Sequence, residues 1–438
     1  MKLHVLIALI VIIETSVASS AQTSSQSGAL PRASAYLDAI GGLTLEQAIA
    51  QAIEAEPELR AERSNVDVAR GMRVQAGVRP NPAITVAQQF EPAGTDSQTR
   101  VDVQWPLDLF RKTGRVNVAE REIEAAQFSL VNRERLLASD VRLKYGEVAA
   151  LVRELSISDE VWAATASHLE LVSARVAEGV TPPLERNILQ VELQRLSADR
   201  LLQANHLERA VLELKRLLGL PSDAGLRIRD DLERVVRQGV ALQGGVAVRE
   251  RADVSEAETR LRIADARIDQ ARRDGRFDAT VMAMYMRNDT GFPQRGFGPN
   301  NELEPVRGLF HYFSAGLMVT IPVRDRNQGV VAVAQAQRNR AAAQVDASRL
   351  TMETEIAAAR TRDERARQAL GAFSREVVDL AKQNLDVVSQ SYELGRMTLL
   401  EVLTERRRFL EVERAYTSAL REAWEARQAL LRAVGEVR

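Results

Sequence analysis

Apolar residues recur along most of this chain at helical spacing, broken in two places by runs in which apolar and polar residues alternate. Thr44 is a good N-cap, with Gln47 three residues on for a capping box, and helix-compatible sequence continues to Val78, where Pro80-Asn81-Pro82 stops it. Alternating runs at 83–91 and 97–105, separated by a Pro/Gly/Asp turn, predict two strands. From about Arg115 to Ala177 nothing interrupts the helix pattern except Gly146. Gly179 and Pro182-Pro183 predict a sharp turn, and a helix returns from Leu184 to Leu218, ended by Gly219-Leu220-Pro221. Residues 222–245 read as irregular. The same order then begins again. It runs through a helix to about Arg276, strand-like runs at 277–287 and 310–321, and one long helix to Glu393. A turn at Gly395 and a return helix to Val434 complete it. Gly296-Phe297-Gly298-Pro299 falls in the loop between the later strands.

The spacing marks this second pass as a duplication. Pro106 precedes Gly179 by 73 residues, as Pro322 precedes Gly395, and Gly179 precedes Gly219 by 40, as Gly395 precedes Gly435. Long helices of about 63 residues would reach ~95 Å, and return helices of about 35 residues ~52 Å, so two short helices end to end match one long one. The last helix carries an apolar heptad line, Val402, Phe409, Tyr416, Ala423 and Leu430. A second line, Leu399, Arg406, Glu413, Leu420, Arg427 and Val434, mixes apolar and charged residues. A seven-residue period implies left-handed coiled-coil packing.

Composition adds limits. Apolar residues make up 45% of the 438 residues and charged residues 27%, whereas aromatics are only 4%, a mixture typical of long helices. The net charge of -1 gives no reason to expect nucleic acid. Without cysteine there is no disulfide, thiolate catalysis or thiolate-bound metal. Met1-Lys2, an apolar run from Leu3 to Ile13 and Ser16-Val17-Ala18 predict a signal peptide over 1–18, with the mature chain beginning near Ser19. Residues 19–43 read as a flexible tail. The repeats then span 44–219 and 246–438, with a linker at 220–245. No later stretch is long and apolar enough for a transmembrane helix, so any membrane part must be made of strands.

The strand runs suit a membrane wall. Val101, Val103 and Trp105 alternate with Arg100, Asp102 and Gln104. Phe313, Ala315, Leu317, Val319 and Ile321 alternate with Tyr312, Ser314, Gly316, Met318 and Thr320. Phe90, Trp105, Phe110, Tyr285, Phe310, Tyr312 and Phe313 place scarce aromatics in or beside these hairpins, as interfacial girdles require. Four strands cannot close a barrel, because the smallest membrane barrels have about eight. Open edges are not tolerated in lipid, so strands must be pooled between chains, from a dimer or a trimer. A soluble coiled-coil rod explains the helices equally well but not the strands.

The chain resembles the TolC family of outer-membrane efflux proteins in "LTLEQAIAQAIEAEPELRAER" (43–63), "AGVRPNPAITV" (76–86), "IPVRDRNQG" (321–329), "VAEGVTPPLERN" (176–187) and "YELGRMTLLEVL" (392–403). The resemblance implies a homotrimer with a 12-stranded transmembrane β-barrel and an α-helical periplasmic tunnel. It also implies an equatorial belt near 222–245 and partnership with a periplasmic adaptor and an inner-membrane RND pump. "AGVRPNP" and "DRNQG" resemble members serving cobalt-zinc-cadmium and copper-silver pumps. The same duct serving drug efflux or type I secretion, and a soluble periplasmic scaffold, are the competing readings. The acylated N-terminal Cys of many relatives is absent, so lipid anchoring does not carry over. The second repeat reads "RADVSEAE" (251–258) where the first has "EPELRAER".

No enzyme signature or cofactor motif is present in the sequence. His168, His206 and His311 are far apart, and a lone helix histidine is more often packed or solvated than a ligand. Met282, Met284 and Met286 alternate along one strand and so share a face; thioethers suit soft Cu(I) or Ag(I), although adaptable wall packing explains them equally. By the resemblance, Glu401 matches an acidic position that narrows the periplasmic mouth, with Glu405 beside Thr404, where relatives have the next acid. Glu185 occupies the matching place in the first repeat. Arg396 and residues 406–408, all arginine, lie close enough in sequence to balance these charges. The tip turns, Gly179, Val180, Thr181 and Pro182 with Gly395, Arg396, Met397 and Thr398, are the adaptor-docking candidates.

Overall fold

A computed structural model describes residues 32–92, 96–240 and 251–436. The expected signal peptide lies outside the described residues. Helices α1 (Leu45–Ala55) and α2 (Pro57–Ala76) lead into strands β1 (Ala83–Phe90) and β2 (Ser97–Pro106), helix α3 (Arg111–Ala177) and its return α4 (Pro183–Leu217). Helices α5 (Leu232–Val240) and α6 (Ala252–Asp274) lead into β3 (Asp278–Phe297), β4 (Leu303–Thr320), α7 (Gln328–Ala372), α8 (Arg375–Glu393) and α9 (Leu399–Ala433). The protein is mainly helical with one small antiparallel sheet.

Several boundaries differ from the sequence expectation. The first helical stretch breaks at Glu56, whose carboxylate caps α2 by accepting the Leu59 amide at 2.6 Å, with Pro57 in the first turn. The second long helix is interrupted at Phe373-Ser374, so α7 and α8 are separate. The stretch 222–245 is not all irregular, since it contains α5. In the supposed tail, residues 32–43 are ordered. Asp38 donates its amide to the Ile228 carbonyl and Leu43 to that of Arg227, at 2.9 and 2.8 Å. The later hairpin is longer than its apolar alternation suggested, because β3 continues through Phe297 and β4 starts at Leu303, taking in Gly296 and Phe297.

Helix α3, with 67 residues, is about 100 Å long. The short helices continue one another alongside the long ones. A Cβ on Gly219, just past α4, would lie 2.7 Å from the Ala55 carbonyl at the α1–α2 junction. Arg251, just before α6, donates to the Ala433 carbonyl that ends α9. Both heptad lines of α9 face inward. Val402, Phe409, Tyr416, Ala423 and Leu430 are buried, and so are Leu399, Arg406, Glu413, Leu420, Arg427 and Val434. The charged members of the second line are therefore core residues with partners. Glu413 accepts from Arg153 at 2.9 Å, and Arg153 also reaches Glu233 of α5 at 3.1 Å and lies over the Tyr416 ring.

The main core lies where α1, α5, the middle of α3 and α9 and the C-terminal half of α4 meet. Tyr145 is fully buried there and donates its hydroxyl to the Leu43 carbonyl at 2.9 Å. Gly146 allows close approach, because a Cβ there would sit 2.1 Å from the indole nitrogen of Trp424, which donates to the Arg142 carbonyl.

The sheet has order β1-β2-β3-β4, all antiparallel, so β1 and β4 are its edges. Its register aligns Val86, Val101, Tyr285 and Phe313 in one row across the four strands.

Candidate functional site

The two helical tips are built alike. At the first, Gly179 has φ +76°; its amide donates to Val176 O at 3.1 Å, and that of Val180 to Arg175 O at 2.9 Å. At the second, Gly395 has φ +71°; its amide donates to Tyr392 O, and that of Arg396 to Ser391 O, both at 2.9 Å. This is the glycine-terminated Schellman pattern, in which a left-handed residue lets the last helical carbonyls find donors. A Cβ on either glycine would meet nothing within 4 Å, so the requirement for glycine comes from backbone angle alone. Val180, Leu184, Leu394, Met397 and Leu400 are exposed around these turns.

The tips are joined to each other. Tyr392 donates its hydroxyl to Glu185 at 2.8 Å, and Arg175 donates to the Glu393 carbonyl at 3.1 Å. Val172, Leu189, Tyr392, Leu399, Val402 and Leu403 form the apolar cluster beneath. Burial, with Glu185 alongside, pushes the Tyr392 hydroxyl up to about 12. Sequence reasoning singled out Glu185 but missed Tyr392 and Arg175, since no local pattern announces a partner on another hairpin.

Glu401 is exposed and closes a capping box. Its Oε2 accepts the Thr398 amide at 2.7 Å and the Thr398 hydroxyl at 2.9 Å, while its own amide donates to Thr398 Oγ1. Those two donors hold its carboxyl below the usual range. Glu405 pairs with Arg408 at 3.3 Å. Arg406, expected among the balancing cations, is instead buried. It donates to Thr165 Oγ1 at 2.6 Å and to His168 Nδ1 at 3.0 Å, because its heptad position faces the core rather than the neighbouring turn. Burial and Arg406 together push His168 below the ordinary histidine value.

At the opposite end, the sheet has two chemically different faces. Ile84, Val86, Val101, Val103, Trp105, Val281, Ala283, Tyr285, Phe313, Ala315 and Leu317 lie on one, and Ile84, Val86, Trp105, Phe313 and Leu317 are strongly exposed. The other carries Thr85, Arg100, Asp102, Gln104, Thr280 and Ser314, together with Met282, Met284 and Met286. Arg100 Nε donates to Asp102 at 3.0 Å. Among the described residues no helix is long and apolar enough to cross a membrane.

A sequence model described as outer membrane efflux protein matches residues 48–220 and 245–436. The chain belongs to the outer membrane efflux protein family. One relative, the cobalt-zinc-cadmium resistance protein CzcC of Cupriavidus metallidurans, is 23% identical over 402 residues, 91% of each chain. The heavy-metal subgroup expected from "AGVRPNP" and "DRNQG" fits that relative. A membrane protein from Pseudomonas aeruginosa superposes with TM-score 0.70 at 20% identity, covering 89% of this chain and 92% of that one. The open state of the MtrE outer membrane channel of Neisseria gonorrhoeae gives 0.67 at 18% identity, covering 90% and 89%. Family membership places this outer membrane efflux protein in the outer membrane with a periplasmic part, and the family is one of channels rather than enzymes.

Proposed function

We propose that three copies of this chain form one passive exit duct, each giving four strands to a twelve-stranded barrel and its helices to a periplasmic tunnel. The observation that carries this reading is the sheet. Its four strands present an exposed apolar face, and among the described residues β1 and β4 have no partner on their outer edges. Lipid does not tolerate such edges, and pooling strands between copies removes them. The recurrence of two strands, a long helix or helix pair and a return helix, with left-handed glycines at 179, 219, 395 and 435, supports the internal duplication.

In this reading the tips at Gly179–Pro182 and Gly395–Thr398 meet a periplasmic adaptor, and an inner-membrane RND pump supplies the energy. Heavy metal cations are the favoured cargo, supported by the likeness to the cobalt-zinc-cadmium resistance protein. Glu401 lines the periplasmic mouth, its Oε2 engaged by Thr398. A strain lacking the gene should lose tolerance to zinc, cobalt or cadmium and regain it on complementation. Unchanged metal tolerance with lost tolerance to organic toxicants would overturn the cargo assignment and favour drug efflux.

A further inference from the structure

The methionines of this chain are unevenly placed. Of eight, Met282, Met284, Met286 and Met318 sit on one hairpin. The register puts Met282 opposite Gly316 and Met318 opposite Thr280, so all four share the face opposite the apolar one. Lipid contact therefore does not explain them. Met282, Met284 and Met286 are half-buried, as is Tyr285 between them, and Met318 is exposed. The Cε of Met282 lies over Gly316, where a Cβ would be only 3.8 Å away, and the sulfur of Met286 takes a contact from the Gln98 amide. These side chains thus share a face with Asp102, Gln104 and Ser314, with Tyr312 opposite Met286. The guanidinium on this face, Arg100, is engaged by Asp102.

We propose that Met282, Met284, Met286 and Met318 form a thioether ladder on the lumen wall that transiently ligates soft monovalent cations, Cu(I) or Ag(I). Neutral thioethers favour such ions over Zn(II), Co(II) or Na(I). Same-face neighbours along a strand are about 6.6 Å apart at the backbone, and diagonal cross-strand neighbours about 7 Å. A methionine side chain has three rotatable bonds, so adjacent sulfurs can converge on one ion. Several weak sites in sequence suit passage, since an ion must leave each as readily as it enters. The ladder rests on the trimeric barrel above, which makes this face the lumen.

The test uses the full-length protein in planar bilayers with nitrate salts. Silver ion at tens of micromolar should reduce wild-type single-channel conductance by about half, a micromolar-range affinity, while the same concentration of zinc should not. In Met282→Leu/Met284→Leu/Met286→Leu/Met318→Leu, at least about tenfold more silver should be needed. Silver X-ray absorption of the loaded wild type should report sulfur neighbours, which keeps the test open if the variant does not assemble. Equal silver sensitivity in wild type and variant, no effect of silver on the wild type, or only nitrogen and oxygen neighbours would overturn the ladder. Inserted wild-type protein that carries no current at all would overturn the duct, and with it the lumen setting of these residues.

Discussion

Single residues separate what the sequence announces from what only packing reveals. Gly146 reads as a tolerable helix glycine, yet Trp424 occupies the place a Cβ would take. Gly146→Ala should therefore destabilise by about 1–3 kcal/mol through overpacking. Gly71→Ala, with nothing within 4 Å, should be stabilising by roughly 0.5–1 kcal/mol; thermal melts of the detergent-solubilised protein compare the two. Glu401 caps α9, and one pair of variants separates that cap from its proposed place at the periplasmic mouth. Gln at the third helical position keeps a capping box but removes the charge, whereas Ala removes both. Both Glu401→Gln and Glu401→Ala should lower cation selectivity in bilayer recordings, and only the latter should speed hydrogen exchange in the first turn of α9. Unchanged selectivity in both would leave Glu401 as a cap alone. The pH response at the tips follows from His168, which faces Arg406 and, at 4.0 Å, Glu393. Its folded value lies below the ordinary one. The unfolded chain therefore binds a proton first, and the contribution of this site is complete above about pH 6.5. That contribution declines as pH falls through the ordinary histidine value toward the folded one. Amide exchange over 165–172 should rise in that window and should do so less in His168→Gln.

At the scale of elements, local signals proved legible and tertiary ones did not. The Thr44 capping box, the strands after Pro82 and the four helix-ending glycines could all be read, because capping, alternation and left-handed turns are local in sequence. The break at Glu56 was legible too, in Pro57, since a proline inside a helical pattern ends the helix at the residue before it. The one at Phe373-Ser374 has no proline and follows only Gly371. The second break is flanked by a long-range contact. Arg375 at the start of α8 donates to Glu233 of α5 at 2.7 Å, and Arg153 of α3 reaches the same carboxylate. Helix α5 is short but not silent, because Leu232, Val235 and Val236 stand at i, i+3 and i+4 and are all buried. Two turns of pattern were too few to outweigh the irregular residues around them. Glu233→Ala should cost about 2 kcal/mol, the scale of a hydrogen bond to a charged group, with protection lost first at 232–237 and 375–379. At the tips, Gly179→Ala and Gly395→Ala should each cost about 1–2 kcal/mol from left-handed backbone alone. Protein-level cross-links to an adaptor from these turns should persist, because no side-chain space is taken.

For the whole molecule, the central claim is that one chain is an incomplete channel. The proposed trimer and closed barrel are not visible in a single sequence, because both depend on contacts between chains. What one chain does hold is the incompleteness itself, a four-stranded sheet whose two edges are bare among the described residues and whose apolar face is exposed. The absence of cysteine makes a direct measurement possible. One cysteine is placed at Ile84, Val86 or Gln88 on β1 and one at positions 311–317 on β4, levels that the Val86–Val101–Tyr285–Phe313 row connects across the sheet. Oxidised outer membranes are then analysed by denaturing electrophoresis. The account predicts that at least one depth-matched pair gives a ladder of bands ending at three chains, recovered from the outer membrane. A water-soluble monomer with no intermolecular cross-link from any pair would contradict it.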